Sequence, residues 1–448
     1  MSENAERYTK ISDRFTQLAD DLASNLDDWT SELGIPGAAV AVVRGDEVTT
    51  TCTGVTSLEH PLPITDTTIF QIGSISKTFC ATAAMVLVDR GDLDLDAPVA
   101  SYVPDLRLSD QELTGALTTR HLLTHTAGWV GDYFGDTGLG DDALSRFVGK
   151  LAKAPQLTPL GQTFSYNNSA HNLASHVVAR VNGSTFERAM SDLVLRPLGL
   201  RRTFYDANDV IGERVAVGYR AGRRQRWLRP RAHNGAGGVL SCVADLVAYA
   251  RHHLGDGSPL MRPETLAESH RTQARAGSLC DEIALPWFVD TWAGHRVVHH
   301  GGTTNGYQAD LRLVPDLGLA WVMLTNSHHE HQLDRRIREH LLGPDDELAA
   351  IDPPNDLDEC VGTYEAVLAH IEIEVQDGGL VAFVRDTARW SRDEPEAPQV
   401  PTRLAFRDAD RVEALDAPFA GHRGEFVRNP DSGAVEWFRW DGRIARRR

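Results

Sequence analysis

Apolar residues recur at helical spacing near the start of the chain and in short extended runs just after it. Residues 6–33 carry one apolar stripe and are predicted to form an amphipathic helix. The stripe consists of Leu18, Leu22, Leu26, Trp29 and Leu33. Residues 38–44 and 48–54 are rich in alanine, valine and threonine, and Gly45-Asp46 separates them. This pattern predicts two strands joined by a tight turn.

The middle of the chain changes to helical patterns. A run of small and apolar residues extends from Ser74 to Val88, and Gly91 follows as the expected C-cap. Residues from about 92 to 230 contain further helical patterns joined by loops rich in glycine and proline. The predicted helices there are 119–124, 141–151, 168–181 and 185–195. Ser241 stands just before another apolar helical pattern and is predicted to be its N-cap.

Strand patterns return near the end of this region. Residues 296–300, 306–313 and 319–325 are predicted to be strands, and the turn at 315–318 joins the last two into a hairpin. A helix over 332–342 would cover the sheet. With strands at both ends and helices between them, the pattern predicts an α+β fold. We expect an antiparallel sheet flanked by helices, with a helical subdomain inserted.

We predict three units along the chain. Residues 1–345 would form the main domain, with the helical subdomain over about 92–230. Residues 346–357 are acidic and rich in proline, which is typical of a linker. Residues 358–448 contain short segments of alternating polarity and are predicted to form a small β-barrel.

Charge and cysteine content narrow the possible functions. The formal net charge is −18, which disfavours nucleic acids and anionic membrane surfaces as partners. The sequence shows neither a signal peptide nor a membrane span, and its five cysteines are scattered. Reduced thiols in a cytoplasm fit this pattern better than a disulfide framework or a zinc cluster. We therefore expect a cytoplasmic protein with a small-molecule or peptide substrate, and we leave homo-oligomer formation open.

Lysine is nearly absent from the chain. Four of the 45 basic residues are lysine, and one of them, Lys77, follows Ser74 by three positions. On a helix such residues are neighbours, so the amine can reach the hydroxyl. Unlike arginine, lysine can lose its proton in a protein, which makes Lys77 a candidate base for a nucleophilic Ser74. No other Ser-x-x-Lys occurs in the chain.

Two further motifs follow in order. Tyr166-Asn167-Asn168 precedes a predicted helix, and His300-Gly301-Gly302-Thr303 ends a predicted strand. Together with Ser74-x-x-Lys77, they resemble the serine β-lactamase and penicillin-binding-protein-like superfamily, in particular class C β-lactamases, esterases and D-aminopeptidases. The resemblance extends over roughly residues 30–345. Supporting segments are Phe70-Gln-Ile-Gly-Ser, Leu122-Leu-Thr-His-Thr-Ala-Gly128 and Gly237-Gly-Val-Leu-Ser.

The resemblance implies a β-lactamase-like fold and a role for each matching residue. Ser74 would be the acylated nucleophile, and Lys77 and Tyr166 would shuttle its proton. Which of the two is the base stays open, because they titrate as a pair. We therefore predict Ser74, Lys77, Tyr166 and His300 as catalytic residues, and Asn168, Gly302, Thr303 and Trp129 as substrate-binding residues. No metal and no organic cofactor is expected.

Two of the binding roles are specific. Asn168 would bind the amide of the substrate or the amine of Lys77. The backbone amides of Ser74 and Thr303 would form an oxyanion hole, and the glycines at 301 and 302 would let the strand approach the substrate closely.

The third motif departs from the pattern of many relatives. The chain contains no Lys-[Ser/Thr]-Gly, and a largely neutral His300 binds a carboxylate poorly. This counts against efficient recognition of β-lactams. We predict a serine hydrolase that acts through an acyl-enzyme on esters or amides, including small peptides with D-residues. The resemblance leaves two alternatives: a peptide-cyclising thioesterase, whose relatives carry a small lipocalin-like C-terminal domain, and a non-catalytic penicillin-binding-like sensor.

Several other residues have structural interpretations. Trp129, Tyr133 and Phe134 follow a turn and either line the acyl pocket or pack in the core. His125 is predicted to fix a loop by hydrogen bonds. The run His328-His329-Glu330-His331 contains metal-ligand residue types, but we predict a solvated turn there.

Overall fold

The computed structural model describes residues 3–133, 135–227, 230–255, 260–328, 331–344, 350–354, 356–387 and 397–448. Its α-helices, in chain order, are α1 Glu3–Glu32, α2 Ser76–Arg90, α3 Gln111–Ala116, α4 Thr119–Leu123, α5 Ala143–Lys150, α6 Asn168–Asn182, α7 Phe186–Met190, α8 Asn234–Gly237, α9 Val243–Leu254, α10 Pro263–His270 and α11 His331–Leu342. A 3₁₀ turn, Gly73–Ile75, leads directly into α2.

The strands fall into one large sheet, one barrel and two short pairs. They are β1 Gly37–Arg44, β2 Glu47–Gly54, β3 Phe70–Gln71, β4 Tyr219–Arg220, β5 Arg223–Arg224, β6 Leu240–Ser241, β7 Ala274–Arg275, β8 Glu282–Ile283, β9 Phe288–Trp292, β10 His295–Thr304, β11 Tyr307–Val314, β12 Leu319–Thr325, β13 Gly362–Glu365, β14 Ala369–Gln376, β15 Gly379–Asp386, β16 Val400–Phe406, β17 Arg411–Ala414, β18 Arg423–Arg428, β19 Val435–Trp440 and β20 Arg443–Arg447.

The large sheet has the strand order β2-β1-β12-β11-β10-β9-β8-β7 and is antiparallel. Strands from both ends of the region pair at its centre, where Val40 of β1 lies opposite Met323 of β12. The predicted α+β fold, with strands first, helices in the middle and strands last, is confirmed.

Alternation along the central strands explains why helices cover both faces. Val40 and Val42 lie in one apolar cluster with residues of α1 and α11. Ala39 and Ala41 lie in a second, larger cluster with residues of α2, α6 and α9. Successive side chains of a strand point to opposite faces, so one strand contributes to both layers. Helix α2 is buried along most of its length and ends at Gly91, whose φ of 78° is that of a left-handed C-cap.

One helix start differs from the prediction. Helix α9 begins at Val243, so Cys242 holds the N-cap position and Ser241 lies one residue too early. Ser241 belongs to β6 instead, and its hydroxyl is 2.9 Å from the hydroxyl of Thr203. The predicted N-cap at Ser241 is therefore wrong.

The C-terminal strands β13 to β20 close into an eight-stranded antiparallel barrel, as predicted. Its core contains Tyr364, Phe426 and Phe438. Residues 346–349 and 355, which belong to the predicted linker, lie outside the described residues. Among the described helices, none combines the length and hydropathy needed to cross a bilayer.

The turn between β19 and β20 joins the barrel to the rest of the molecule. The amide of Tyr166 donates to the carbonyl of Gly442 at 2.8 Å. The amide of Gly442 donates to the Ser278 hydroxyl at 3.1 Å, and the amide of Ile444 donates to the Ser165 hydroxyl at 3.3 Å. The barrel is thus bound to the loop that carries the second motif.

Candidate active site

The first motif brings a hydroxyl and an amine into contact. Lys77 is fully buried, and its Nζ lies 2.9 Å from the Oγ of Ser74. The same Nζ donates to the carbonyl oxygen of Ala236 in α8 at 2.6 Å. Ser74 is half-buried, so its hydroxyl lies at the border between the core and the outside. The spacing of three residues gives the contact that the sequence predicts.

Two glycines let the third motif approach this turn. A Cβ on Gly302 would lie 1.9 Å from the carbonyl oxygen of Ile72 and 3.0 Å from the amide nitrogen of Ser74. A Cβ on Gly73, whose φ is +52°, would lie 2.9 Å from the amide nitrogen of Thr303. The backbones of the two motifs are therefore too close for a side chain at either position, and the amides of Ser74 and Thr303 lie at the same junction.

The register of the sheet ends the pairing of β10 with β9 before residues 300–304. Strand β9 pairs with β10 as far as His299, which lies opposite Phe288. Strand β11 continues the pairing to Thr304, opposite Tyr307. Residues 300–304 thus extend past the end of β9, and their second edge faces the turn that carries Ser74.

Tyr166 lies beside the amine of the first motif. The Nζ of Lys77 is 4.8 Å from the centre of the Tyr166 ring, and the guanidinium carbon of Arg443 is also 4.8 Å from it. The ring stacks on His125 with centroids 4.5 Å apart and planes at 28°. The ring is thus packed against an aromatic neighbour and lies close to two basic side chains.

His125 fixes the loop of the second motif, as predicted. Its Nδ1 accepts from the amide of Asn167 at 2.8 Å, and its carbonyl accepts from the amide of Ser165 at 2.9 Å. Its φ of 59° is unusual for a residue other than glycine. Burial, together with the charge of Lys77, lowers the pKa of His125 well below its usual range. The ring is therefore neutral, and it holds the loop through its hydrogen bond.

His300 is neutral and buried at the third motif. Its Nδ1 lies 2.6 Å from the carbonyl oxygen of Gly301, which can only accept, so this nitrogen carries the proton and Nε2 carries a lone pair. The ring stacks on Phe288 at 4.4 Å and lies 6.4 Å from the ring of Tyr166. Burial and, second, the charge of Lys77 lower the pKa of His300 to about 3.

Asn168 contacts an acidic residue. Its side-chain amide donates to the Oδ1 of Asp132 at 2.7 Å, and the Oδ2 of Asp132 pairs with the Nε of Arg443 at 2.6 Å. Asp132 is buried and Arg443 is half-buried. Asn168 therefore stands in a chain of contacts that ends at the barrel, and its predicted contact with a substrate stays a prediction.

A cavity of about 250 Å³ lies between the barrel and the loops of the first part of the chain. Tyr166, Asp132 and Arg443 are among its lining residues, and its apolar wall includes Trp437 and Ile444. Trp129 is buried in the core instead, where its indole donates to the Ser169 hydroxyl at 2.9 Å. This placement favours the packing interpretation of Trp129. Phe134 lies outside the described residues, while Tyr133 is half-buried against the core.

The described residues contain no group of three or more side chains placed to hold a metal ion. His329 and Glu330 of the histidine-rich run lie outside them. Asp132 and Arg443 are the residues of this site that sequence reasoning missed. Arg443 lies far along the chain, within the predicted barrel, and the turn Asp441-Gly442 before it was the available signal.

Comparisons with known proteins identify the family and the fold. The family model described as Beta-lactamase matches residues 13–343. Penicillin-binding protein 4 of Amycolatopsis lactamdurans is 31% identical over 74% of this chain and 93% of the relative. Esterase EstB of Burkholderia gladioli is 28% identical over 66% of this chain and 86% of the relative. The crystal structure of SurE with D-Leu has a TM-score of 0.76 and 25% identity, with 97% of this chain and 100% of that chain covered.

Proposed function

The chain belongs to the beta-lactamase family of hydrolases, and we propose that it is a serine hydrolase that forms an acyl-enzyme on Ser74. One observation carries the proposal: the Nζ of the buried Lys77 lies 2.9 Å from the Ser74 hydroxyl. A serine hydroxyl is a weak nucleophile until an adjacent base accepts its proton. The amine also donates to an uncharged carbonyl, that of Ala236, at 2.6 Å.

Acylation would begin with the attack of the Ser74 oxygen on the carbonyl carbon of an ester or amide. The hydroxyl proton passes to the pair formed by Lys77 and Tyr166, and this pair then protonates the leaving alcohol or amine. The amides of Ser74 and Thr303 would stabilise the negative oxygen of the tetrahedral intermediate. The close approach of Gly73 and Gly302 supports this assignment, because it brings both amides to one place.

Deacylation would transfer the acyl group from Ser74 to water. The same pair takes a proton from the water as it attacks the ester, and the serine hydroxyl is restored. His300 would offer its Nε2 lone pair as a neutral acceptor for the substrate, because its pKa of about 3 keeps it uncharged at neutral pH.

We propose peptide-like esters or amides as the substrates. The cavity beside Tyr166 combines an apolar wall with the guanidinium of Arg443, which supplies a fixed cation although the third motif has no lysine. Asp132 neutralises much of that charge, so hydrogen bonds to a carbonyl group fit this position better than capture of a free anion. SurE was solved with D-Leu, and this supports substrates that contain D-residues.

A second candidate keeps the acyl-enzyme and changes the acceptor. A substrate amine could take the acyl group in place of water, as in a peptide-cyclising thioesterase. The closed eight-stranded barrel at the C-terminus, whose turn accepts a hydrogen bond from the amide of Tyr166, favours this candidate, because the resemblance gives such thioesterases a small C-terminal domain of this kind.

The test compares wild type with Ser74→Ala. A fluorophosphonate probe should add its mass to the peptide that contains Ser74 and should leave Ser74→Ala unlabelled. Equal labelling of both proteins would contradict the proposal. Lys77→Arg is the matched variant, because it keeps the positive charge and removes the ability to accept a proton; we expect its labelling rate to fall at least 100-fold.

Products decide between the two functions. Peptidyl esters and thioesters with a D-residue at the scissile position should yield a linear acid if water is the acceptor and a cyclic amide if the substrate amine is. Labelling of Ser74 without turnover of any ester, amide or thioester would instead support the sensor alternative.

A further inference from the structure

The turn that carries Ser74 lacks the usual side-chain caps. Ile72 and Ile75 hold the N-cap positions of the 3₁₀ turn and of α2, and neither offers a side-chain acceptor. Two hydroxyls within α2 bind the turn instead. The Ser76 hydroxyl donates to the carbonyl of Gly73 at 2.6 Å, and the Thr78 hydroxyl donates to the carbonyl of Ile75 at 2.8 Å.

Each of these hydroxyls is in turn held by another part of the chain. The Ser76 oxygen accepts from the amide of Val239 at 2.9 Å. The Thr78 oxygen accepts from the hydroxyl of Tyr249 in α9 at 3.0 Å. The Tyr249 ring stacks on Phe79 of α2 with centroids 4.0 Å apart and planes at 10°. The turn is thus fixed from two sides, and Tyr249 is the side-chain anchor on one of them.

A buried chain of hydrogen bonds fixes the direction in which Tyr249 donates. The Tyr249 hydroxyl lies 2.8 Å from the hydroxyl of Thr82, which lies 3.2 Å from the Nε2 of His253. The Nδ1 of His253 lies 3.1 Å from the Nε2 of His270. These groups are buried in the core, among Phe79, Tyr249 and Trp287.

The Ile75 carbonyl determines the direction in which the Thr78 and Tyr249 hydroxyls donate. The Ile75 carbonyl can only accept, so the Thr78 hydroxyl points to it and the Tyr249 hydroxyl points to Thr78. Thr82 then donates to Tyr249, sharing its proton with the carbonyl of Thr78, which is 2.9 Å away. Burial keeps both histidines neutral, since it lowers the pKa of His270 to about 3 and that of His253 well below its usual range. Each histidine can therefore donate from Nε2 toward the next group.

We propose that the Tyr249 hydroxyl, acting through Thr78, is a positioning group that holds Ser74 within hydrogen-bonding distance of Lys77. The proposal rests on the proposed role of Ser74 as the nucleophile. Tyr249 itself lies behind the turn and contacts no reacting atom. A small displacement of a nucleophile lowers the reaction rate by a large factor. A group that fixes the position of this turn therefore affects the rate of acylation.

The test removes one hydroxyl at a time. Tyr249→Phe should lower the rate of fluorophosphonate labelling at Ser74 about ten-fold, measured well below probe saturation and below the melting temperature of every variant. Thr78→Val should have the same effect, whereas Thr78→Ser, which keeps the hydroxyl, should label at close to the wild-type rate. For a substrate that turns over, the loss should appear in kcat more than in KM.

Tyr364→Phe is the matched control. Tyr364 is also fully buried and donates one hydrogen bond, to the carbonyl of Cys360 at 2.8 Å, but it lies in the core of the barrel. A merely structural role predicts that both tyrosine variants melt earlier and that neither changes the labelling rate of the folded protein. Wild-type labelling of Tyr249→Phe would overturn the proposal.

A second measurement does not depend on catalysis. In Ser74→Cys, the rate at which iodoacetamide alkylates the introduced thiol reports its position and its contact with Lys77. Adding Tyr249→Phe should change that rate at least three-fold, and an unchanged rate would overturn the positioning role. Failure of the wild type to react with fluorophosphonate would overturn the proposed function alone.

Discussion

The guanidinium carbon of Arg443 lies 4.8 Å from the centre of the Tyr166 ring, which joins the last strand of the barrel to the second motif. The Asp132 carboxylate holds the guanidinium there through a 2.6 Å contact with its Nε. Because Asp132 is buried and Arg443 is half-buried, water screens this ion pair only in part. The barrel therefore contributes a charged residue to the site beside Tyr166.

Replacing Arg443 should impair both stability and activity. Arg443→Met keeps the length of the side chain, removes the cation beside Tyr166 and leaves Asp132 buried without it. We expect the labelling rate at Ser74 to fall at least about ten-fold and the free energy of unfolding to fall by about 3 kcal/mol. Labelling kinetics and urea unfolding measure the two effects.

Two variants make this prediction specific. Arg403→Met removes an exposed arginine of the barrel that pairs with Asp416 at the surface, so both quantities should stay close to wild type. The double variant Asp132→Asn with Arg443→Met should recover part of the lost stability, because it removes the isolated charge as well. A labelling rate that is unchanged in Arg443→Met would remove this residue from the site.

A side chain at Gly302 should separate the third motif from the first. The added Cβ of Gly302→Ala would lie 1.9 Å from the carbonyl oxygen of Ile72, so the backbone of β10 or of the turn must move. A shift of about 1 Å in this junction should lower the labelling rate about 100-fold. Stopped-flow labelling and the crystal structure of the variant would test this expectation.

Substitutions at two other glycines serve as controls. Gly301→Ala places its Cβ 3.1 Å from a carboxylate oxygen of Asp310, so a small adjustment suffices. Gly149 lies within helix α5, and the Cβ added in Gly149→Ala would contact no atom within 4 Å. We expect the labelling rate to fall less than ten-fold in Gly301→Ala and to stay at the wild-type value in Gly149→Ala. An equal fall of the labelling rate in all three variants would show that the close approach of the two backbones does not cause the effect.

The motifs were predictable because each depends on local geometry. Ser74 and Lys77 meet because three residues make almost one helical turn, and this holds in any helix. The run of alanine and valine over residues 38–44 predicts a strand, and the structure confirms it as β1. Such features follow from short stretches of sequence.

The remainder of the site depends on contacts between distant segments. Nothing in the periodicity near Asp132 or Arg443 indicates that they pair, since the contact requires the barrel to dock on the loop before α6. Ser241 shows that a contact with a distant segment can also change a local prediction. A polar residue before a helix usually caps it, but here pairing with Phe70 in β3 draws Ser241 into β6 and leaves the cap to Cys242.

The cysteines should be inert in the folded protein. Burial raises the pKa of Cys80, Cys242 and Cys360 to about 12, and that of Cys52 to about 11. Burial also raises the pKa of Cys280 well above its usual range. Since the thiolate is the reactive form, we expect iodoacetamide at pH 8 to modify none of the five within an hour, and all of them in urea.

Mass spectrometry of the intact protein counts the modified thiols. The folded enzyme should also keep its activity after this treatment, because no described cysteine belongs to the site. Rapid modification of Cys80, which lies on α2 close to Lys77, would show that the core opens more readily than its burial indicates.

Acid should unfold the protein through its buried histidines. Burial lowers the pKa of His270 and of His300 to about 3, whereas the unfolded chain binds these protons near pH 6.5. A histidine whose pKa is lowered by folding stabilises the fold at pH values above the pKa that it has in the unfolded chain. This stabilisation is lost as the pH falls from about 6.5 toward 3. Each residue should cost about 1.4 kcal/mol per pH unit, so the two together should cost about 4 kcal/mol between pH 6.5 and pH 5.

Urea unfolding at pH 7.5, 6.5, 5.5 and 5.0 measures this slope. His270→Gln removes one titrating ring far from the nucleophile and should make the slope shallower by about 1.4 kcal/mol per pH unit, even though it lowers stability at pH 7.5. Asp290, whose pKa is lowered to about 2, adds its own loss below pH 4, outside this window. A free energy of unfolding that stays constant from pH 7.5 to pH 5 would mean that these histidines exchange protons with solvent in the native state, so their rings would not be sealed in the core.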